Sequence, residues 1–248
     1  MKVTEYRLPM PFTPEQYQIG QLYMCSRASA EDSTGDDGIE FVENKPLTKD
    51  GRSGQYTKKI FHITTYLPKW MQAVIPKGAF DVIEESHNCF PFIQTSYHAP
   101  FLKERFELVI TSMHVADDDC KQDNPLGMPA EDLKLREIDV IDIVNDELTG
   151  KDYEPEFDPT TQATPLGPKW REEREPIMTA YKSLKVKLAI FGIQGKAEKF
   201  IASTVRTVFL KYHRKCYAWY PEWKDLTIED IRKFEVEAAS KLKELHSK

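Results

Sequence analysis

The chain is short of the features that mark most functional classes. It has only four cysteines in 248 residues, Cys25, Cys89, Cys120 and Cys216, scattered and without a C-x-x-C pair. That spacing excludes a disulfide framework or a zinc site and reads as reduced thiols in a cytosolic protein. No apolar run is long enough to span a bilayer. Charges interrupt Met1-Lys2-Val3-Thr4-Glu5-Tyr6-Arg7, so no secretory signal core is expected. Basic excess is missing too. The formal net charge is -6, which argues against nucleic acid as a main partner but leaves local docking to membranes open. No G-x-S-x-G elbow, P-loop, H-E-x-x-H or dinucleotide fingerprint occurs, and no internal repeat. An enzyme is therefore not expected, and neither a catalytic residue, a metal nor a cofactor is assigned. Cys89 near His87 reads as a small buried residue beside a surface histidine, and Asp117-Asp118-Asp119 as a solvated acidic loop without calcium-loop spacing. Lys211, Arg214 and Lys215 read as the exposed side of a helix.

What is present is an ordinary globular composition, 40% hydrophobic and 30% charged. Thr13, Pro14 and Gln16 form a capping box at the start of a helix, with Phe12 and Tyr17 as its staple. That helix carries Ile19, Gln21, Leu22 and Tyr23 and fades before Glu31. An acidic loop through Asp36, Asp37 and Gly38 follows. A hairpin is expected next, from Ile39–Asn44 to Gln55–Leu67, with Asp50-Gly51 and Gly54 in its turn. Further strands are expected at Phe90–Tyr97, Phe106–Met113, Ile138–Val144 and Tyr181–Phe191. Five prolines between Asp146 and Thr179 forbid long regular elements there. A long helix is expected over Lys196–Trp219, with Ile201, Val205, Val208, Tyr212, Cys216 and Trp219 as its apolar stripe. A last helix is capped by Thr227 and stapled by Leu226 and Ile231. A sheet in the middle with one helix before it and two after it is an α+β pattern.

The informative residues are polar ones on apolar faces. In the last helix Ile231, Phe234, Ala238, Leu242 and Leu245 form one stripe, and Glu235 belongs to it. A charge pressed into an apolar interface needs either an internal partner or a polar ligand. Thr57 and Lys59 share a strand face. Gln21 stands one turn after Tyr17, Asn88 precedes the strand that carries Thr95, and Ser112 and Lys182 continue apolar strand faces. Hydroxyl, amide, ammonium and carboxylate groups drawn from every major element suit a polyhydroxylated, phosphorylated headgroup.

These residues lie within Glu5-Tyr6-Arg7, Tyr17-Gln18-Ile19-Gly20-Gln21-Leu22-Tyr23, Lys49-Asp50-Gly51, Gly54-Gln55-Tyr56-Thr57, Asn88 to Pro91, Pro165-Leu166-Gly167-Pro168-Lys169-Trp170, Ala180-Tyr181-Lys182 and Asp225-Leu226-Thr227 through Ile231-Arg232. That ordered set resembles the soluble, single-domain phosphatidylinositol transfer proteins from end to end. The resemblance implies a single domain over 1–248, with 146–179 irregular and 226–248 as a lid helix. It implies an α+β fold of the helix-grip, StAR-related kind: a concave, mostly antiparallel sheet of about eight strands closed by long helices around one phospholipid. By that resemblance Thr57, Lys59, Asn88 and Glu235 bind the inositol ring, while Gln21, Thr95, Ser112 and Lys182 contact the phosphate. Ser112 stands where the family pattern has Thr. The implied activity is non-enzymatic carriage of phosphatidylinositol between membranes, with phosphatidylcholine or phosphatidic acid as a second cargo. A sensor that presents phosphatidylinositol to a kinase is the alternative. The implied protein is a cytoplasmic monomer that visits membranes transiently and binds no nucleic acid. Three departures stand out. Ile190-Phe191 replaces the paired tryptophans that dock on the membrane, keeping an apolar tip without the interfacial preference of Trp. Ile93 replaces a cavity cysteine of some members, so thiol-reagent sensitivity is not carried over. The segment before Pro165 is shorter than in many members and lacks their basic-serine pattern.

Overall fold

A computed structural model describes residues 1–31, 38–49, 51–62, 67–72 and 81–246. Asp36, Asp37 and Asp50 fall outside the described residues, as do the side chains of Ala238, Leu242 and Leu245. Eight strands and seven helices are described: β1 (Lys2–Met10), α1 (Pro14–Glu31), β2 (Gly38–Lys49), β3 (Arg52–His62), α2 (Lys69–Gln72), β4 (Asp81–Cys89), β5 (Phe92–His98), β6 (Phe106–Ala116), α3 (Ala130–Leu135), β7 (Arg136–Val140), α4 (Trp170–Glu173), β8 (Met178–Leu188), α5 (Gln194–Ala218), α6 (Tyr220–Trp223) and α7 (Ile228–His246). The strands form one sheet in the order β2-β3-β4-β5-β6-β8-β1-β7. Its pairings are antiparallel except β1 with β7. The α+β expectation holds.

Local signals place the helices. At α1 the Thr13 amide donates to Gln16 Oε1 at 2.9 Å and the Gln16 amide to Thr13 Oγ1 at 3.2 Å, a reciprocal cap. At α7 the Asp230 amide donates to Thr227 Oγ1 at 3.2 Å and the Thr227 amide to Asp230 Oδ2 at 3.0 Å. Leu226 and Ile231 pack together with the main core. Both helix starts were legible, although α1 continues to Glu31.

Two strands were not expected. β1 carries Glu5 and Arg7 in its middle yet is buried along nearly its whole length. It runs between β8 and β7, and its charges meet one another. Arg7 Nε donates to Glu5 Oε1 at 2.7 Å, and Arg136 Nη1 donates to Glu5 Oε2 at 3.0 Å. A fully buried carboxylate is tolerated only with such partners. β4 was missed as well; Asn88 precedes β5, as expected, but lies within this additional strand. The other strands shift by a few residues. β7 ends at Val140, β8 at Leu188, and β3 at His62, with 63–66 outside the described residues.

Gly51 holds φ +74 in the β2–β3 turn, as expected of a turn glycine. Gly54 does not belong to that turn. It lies inside β3, where a Cβ would come within 2.1 Å of the Asn88 carbonyl oxygen.

The core gathers Tyr6, Leu8, Met10, Tyr17, Trp170, Leu184, Leu210 and Trp223 between the sheet and the helices. α5 packs on β8 and β1, and α1 packs on α5, α6 and α7. α7 also reaches β2, so it spans from α1 to the sheet's edge. A smaller apolar cluster, with Met71, Ala99, Leu102, Leu188 and Ala197, closes the opposite end of β8.

The basic group on α5 is not an exposed face. Arg214 is buried and donates to the Ile143 carbonyl at 2.7 Å, while Lys211 and Lys215 pair with Glu154 at 2.8 and 3.0 Å. These bonds fasten the proline-rich stretch to α5, which is how a long segment without strands stays ordered. Nor is the Asp117–Asp119 run a solvated loop. Asp118 is buried and accepts from Tyr181 O–H at 2.6 Å, and Asp119 pairs with Arg171 at 2.7 Å.

Candidate lipid-binding cavity

A cavity of about 300 Å³ lies between the sheet and α1, α5 and α7. All eight residues that sequence reasoning nominated for a headgroup line it: Gln21, Thr57, Lys59, Asn88, Thr95, Ser112, Lys182 and Glu235. Strand parity explains the convergence. Thr57 and Lys59 of β3 point one way; Ser112 of β6 faces Lys182 of β8 directly across the ladder. Apolar side chains, among them Leu22, Ile39, Ile93, Ile110, Val208 and Phe209, complete the wall.

The polar lining falls into two sets. Three of the nominated groups are held by protein. Lys59 Nζ donates to Ser29 Oγ at 3.1 Å and lies 3.9 Å from Glu84. The Thr95 and Ser86 hydroxyls meet at 3.0 Å. Glu235, only 9% exposed, accepts from Arg232 Nη1 at 2.9 and 2.7 Å and from Asn44 Nδ2 at 3.3 Å. The carboxylate that stood out in the last helix therefore has internal partners. The other five, Gln21, Thr57, Asn88, Ser112 and Lys182, have no side-chain hydrogen bond among the described residues. Ser112 and Lys182 are buried and the other three half-buried; donors and acceptors turned to a cavity and unmatched by protein call for a polar occupant or water.

Lys182 is the charged member of that open set. Burial pushes its ammonium down from 10.5 to about 8. Its Nζ lies 5.4 Å from the centre of the Phe209 ring. Below it lies a neutral pair. His213 Nδ1 lies 2.6 Å from the Phe209 carbonyl and must donate to it, so Nε2, 2.7 Å away, accepts from Tyr17 O–H. Burial first and Lys182 second push His213 down to about 3, so it stays uncharged.

Sequence reasoning missed several lining groups. Cys25 and Ser29 follow Gln21 at four-residue spacing on α1, a signal that was available. Arg232, Asn44 and Gln55, which also line the cavity, were missed. The accessible surface of Cys25 is cavity surface: burial pushes its thiol pKa up. Ile190 and Phe191 lie elsewhere, between β8 and α5; Phe191 is fully exposed and Ile190 packs on the smaller apolar cluster.

A family model described as phosphatidylinositol transfer protein matches residues 1–240. The chain belongs to the phosphatidylinositol transfer protein family. Phosphatidylinositol transfer protein 2 of Dictyostelium discoideum is 42% identical over 250 residues, covering 98% of this chain and 95% of that protein. Cytoplasmic phosphatidylinositol transfer protein 1 of Drosophila melanogaster is 40% identical over 240 residues, covering 94% and 87%. Membrane-associated phosphatidylinositol transfer protein 2 of Homo sapiens is 39% identical over 251 residues, covering 96% of this chain but 18% of that longer protein. Among the described residues no helix is long and apolar enough to cross a membrane, and no cluster of His, Cys, Asp and Glu could hold a metal ion.

Proposed function

We propose that this protein is a non-enzymatic carrier that holds one phosphatidylinositol in the cavity and exchanges it for a second phospholipid, such as phosphatidylcholine, between membranes. The observation that carries the reading is the set of five polar groups that line the cavity without protein partners, two of them buried. Lys182 and Ser112 would receive the phosphate with Gln21 and Thr95, and Thr57, Lys59, Asn88 and Glu235 the inositol ring. A cation, hydroxyls and amides match a phosphodiester and ring hydroxyls in turn. Choline offers no ring hydroxyls, so it would leave Thr57 and Asn88 unsatisfied. The family membership and the names of the relatives support the same cargo.

Each buried CH₂ stabilises a bound lipid by about 0.8 kcal/mol, so no covalent chemistry is needed to hold one. The cavity is at the small end of the usual range for ligand sites, about 300–1,000 Å³, and two acyl chains need more room than it encloses. Loading therefore involves parting α7 from α1 and β2, the elements it packs on. The exposed Phe191 tip would touch the bilayer while α7 swings. The protein would act from the cytoplasm as a monomer that visits membranes.

Native mass spectrometry of the recombinant protein, followed by lipid identification, tests the reading. One bound phosphatidylinositol or phosphatidylcholine per chain is the expected result; an empty cavity after purification and after incubation with vesicles would overturn it. A two-membrane transfer assay then separates a carrier from a sensor that only presents phosphatidylinositol to a kinase. Bound phosphatidic acid would name a different second cargo.

A further inference from the structure

The end of the molecule that carries Phe191 is assembled from three separate segments. They are 67–72 with α2, the 99–105 turn between β5 and β6, and the 189–199 stretch entering α5. The three share one small core, in which Ile190 and Trp70 pack against Met71, Ala99, Leu102, Leu188 and Ala197. The Ala189 amide donates to the Arg105 carbonyl at 2.7 Å, locking the second segment to the third. Lys196 Nζ sits 4.5 Å from the Trp70 ring centre, and Trp70 meets Phe200 edge-on at 6.1 Å, locking the third to the first.

Two features mark this surface. It displays two exposed phenylalanines from different loops: Phe191 at 104% and Phe101 at 45%. It is also basic. Lys69, Lys103, Arg105, Lys196 and Lys199 are exposed and make no ion pair among the described residues, and Glu104 is the only exposed acid in the three segments. Glu198, also in the third segment, is buried and paired with the Met1 amino group at 3.0 Å. A chain of net charge -6 thus presents a cluster of unpaired cations around two aromatic tips.

We propose that Phe101 and Phe191 are twin anchors of one docking platform, and that the cations around them direct it to bilayers bearing anionic lipid. This rests on the reading of Phe191 as the membrane-facing tip and adds a second anchor and a lipid preference. Two apolar prongs fix an orientation that one cannot, since a single prong leaves rotation about itself free. An apolar side chain and a basic surface act together because one inserts while the other lowers the energy of approach to negative headgroups. A nucleic acid or an acidic protein would use the cations but would gain little from two exposed phenylalanines.

Co-sedimentation with vesicles of pure phosphatidylcholine and of phosphatidylcholine mixed with phosphatidylserine provides the test. The parent should prefer the anionic vesicles, and added salt should erase that preference. Phe101→Ala should weaken binding to both vesicles by about tenfold. Lys103→Gln with Arg105→Gln should cost about 25-fold on anionic vesicles, about fivefold per cation, and nothing on neutral ones. Thermal melts confirm folding; the substituted side chains are all exposed. Equal binding by Phe101→Ala and parent, or no preference for anionic vesicles, would overturn the proposal. Capture of RNA or an acidic polypeptide without vesicle binding would also overturn it. Native mass spectrometry on the same samples keeps the two readings apart: lipid cargo without anionic preference defeats only the platform, and anionic docking by an empty protein defeats only the carrier.

Discussion

Lys182 of β8 stands opposite Ser112 of β6 in the ladder, and both side chains face the cavity with no hydrogen-bond partner among the described residues. A buried ammonium without a carboxylate is costly, and its pKa near 8 expresses that cost. Two opposite pH trends follow. Between about pH 8 and 10.5 the unfolded chain holds a proton at Lys182 that the empty folded protein lacks, so the empty protein gains stability as pH rises through that window. A phosphodiester prefers the protonated lysine, so lipid affinity should be full below about pH 8 and decline above it. Lipid pickup from vesicles at pH 7 and pH 9.5, beside thermal melts of lipid-free protein, checks both signs. Lys182→Met should raise the melting temperature of the empty protein and lower lipid pickup at least tenfold. Unchanged pickup would remove the phosphate role.

The inositol subsite makes a different prediction, one of selectivity. Lys59 is already held by Ser29 and lies near Glu84, so its removal disturbs an ordered polar corner rather than the apolar wall. Thr57→Glu places a carboxylate in the same corner. Either change should abolish phosphatidylinositol pickup and leave phosphatidylcholine pickup within about twofold, because choline makes no use of that corner. Radiolabelled-lipid transfer with each cargo decides it. Equal loss of both would count against the assignment.

The same corner shows what a sequence reveals and what it withholds. Parity and helical spacing were enough to bring Thr57, Lys59, Ser112, Lys182 and Glu235 to one compartment, since period and face are local properties. Capping chemistry placed the starts of α1 and α7. What stayed hidden depended on partners distant in sequence. β1 was invisible because Glu5 and Arg7 look like surface charges until Arg136 arrives from the far edge. Lys215 looked exposed until Glu154 was folded onto it. Glu235 attracted notice as an unpaired charge, yet Arg232 satisfies it from three residues away. The groups that ask for a ligand are quieter ones, such as Thr57 and Asn88.

Acid sensitivity should trace in part to His213. Its folded pKa lies near 3 against an unfolded 6.5, so the neutral ring's contribution is complete above pH 6.5 and is lost as pH falls toward 3. Replacing both Tyr17 and His213, as Tyr17→Phe with His213→Phe, removes the hydroxyl together with the ring nitrogen it meets, so neither is left without the other, and should cost about 1–2 kcal/mol or less at pH 7.5. The double variant should lose less stability than the parent between pH 7.5 and pH 5. His114, buried beside Tyr17 and pushed well below its ordinary value, keeps some acid sensitivity in place. Denaturant melts at the two pH values give the comparison; parallel curves for parent and variant would refute the assignment.

The loop after β8 separates holding a lipid from delivering it. Ile190 and Phe191 lie outside the cavity wall, so Ile190→Ala with Phe191→Ala should leave one lipid per chain by native mass spectrometry. Transfer between two vesicle populations should slow by about tenfold or more, the loss expected when buried apolar contact with the bilayer is removed. An unchanged transfer rate would mean that this loop does no docking.

Gly54 ties the backbone to the site. Any β-carbon there would meet the Asn88 carbonyl oxygen at 2.1 Å and the Cys89 sulfur at 2.7 Å, and neither the strand backbone nor a buried thiol can step aside cheaply. Gly54→Ala should therefore destabilise the protein by about 1–3 kcal/mol through overpacking. The strain falls on β4 at Asn88, whose side chain lines the cavity, so phosphatidylinositol pickup should fall more than phosphatidylcholine pickup. Gly51→Ala offers the comparison: it sits in the turn with no atom within 4 Å of an added β-carbon, and only its left-handed backbone opposes the change. Denaturant melts with both cargo assays should show Gly51→Ala losing about 1–2 kcal/mol with cargo selectivity intact. If Gly54→Ala behaves the same way, the close approach of β3 to Asn88 does not shape the site.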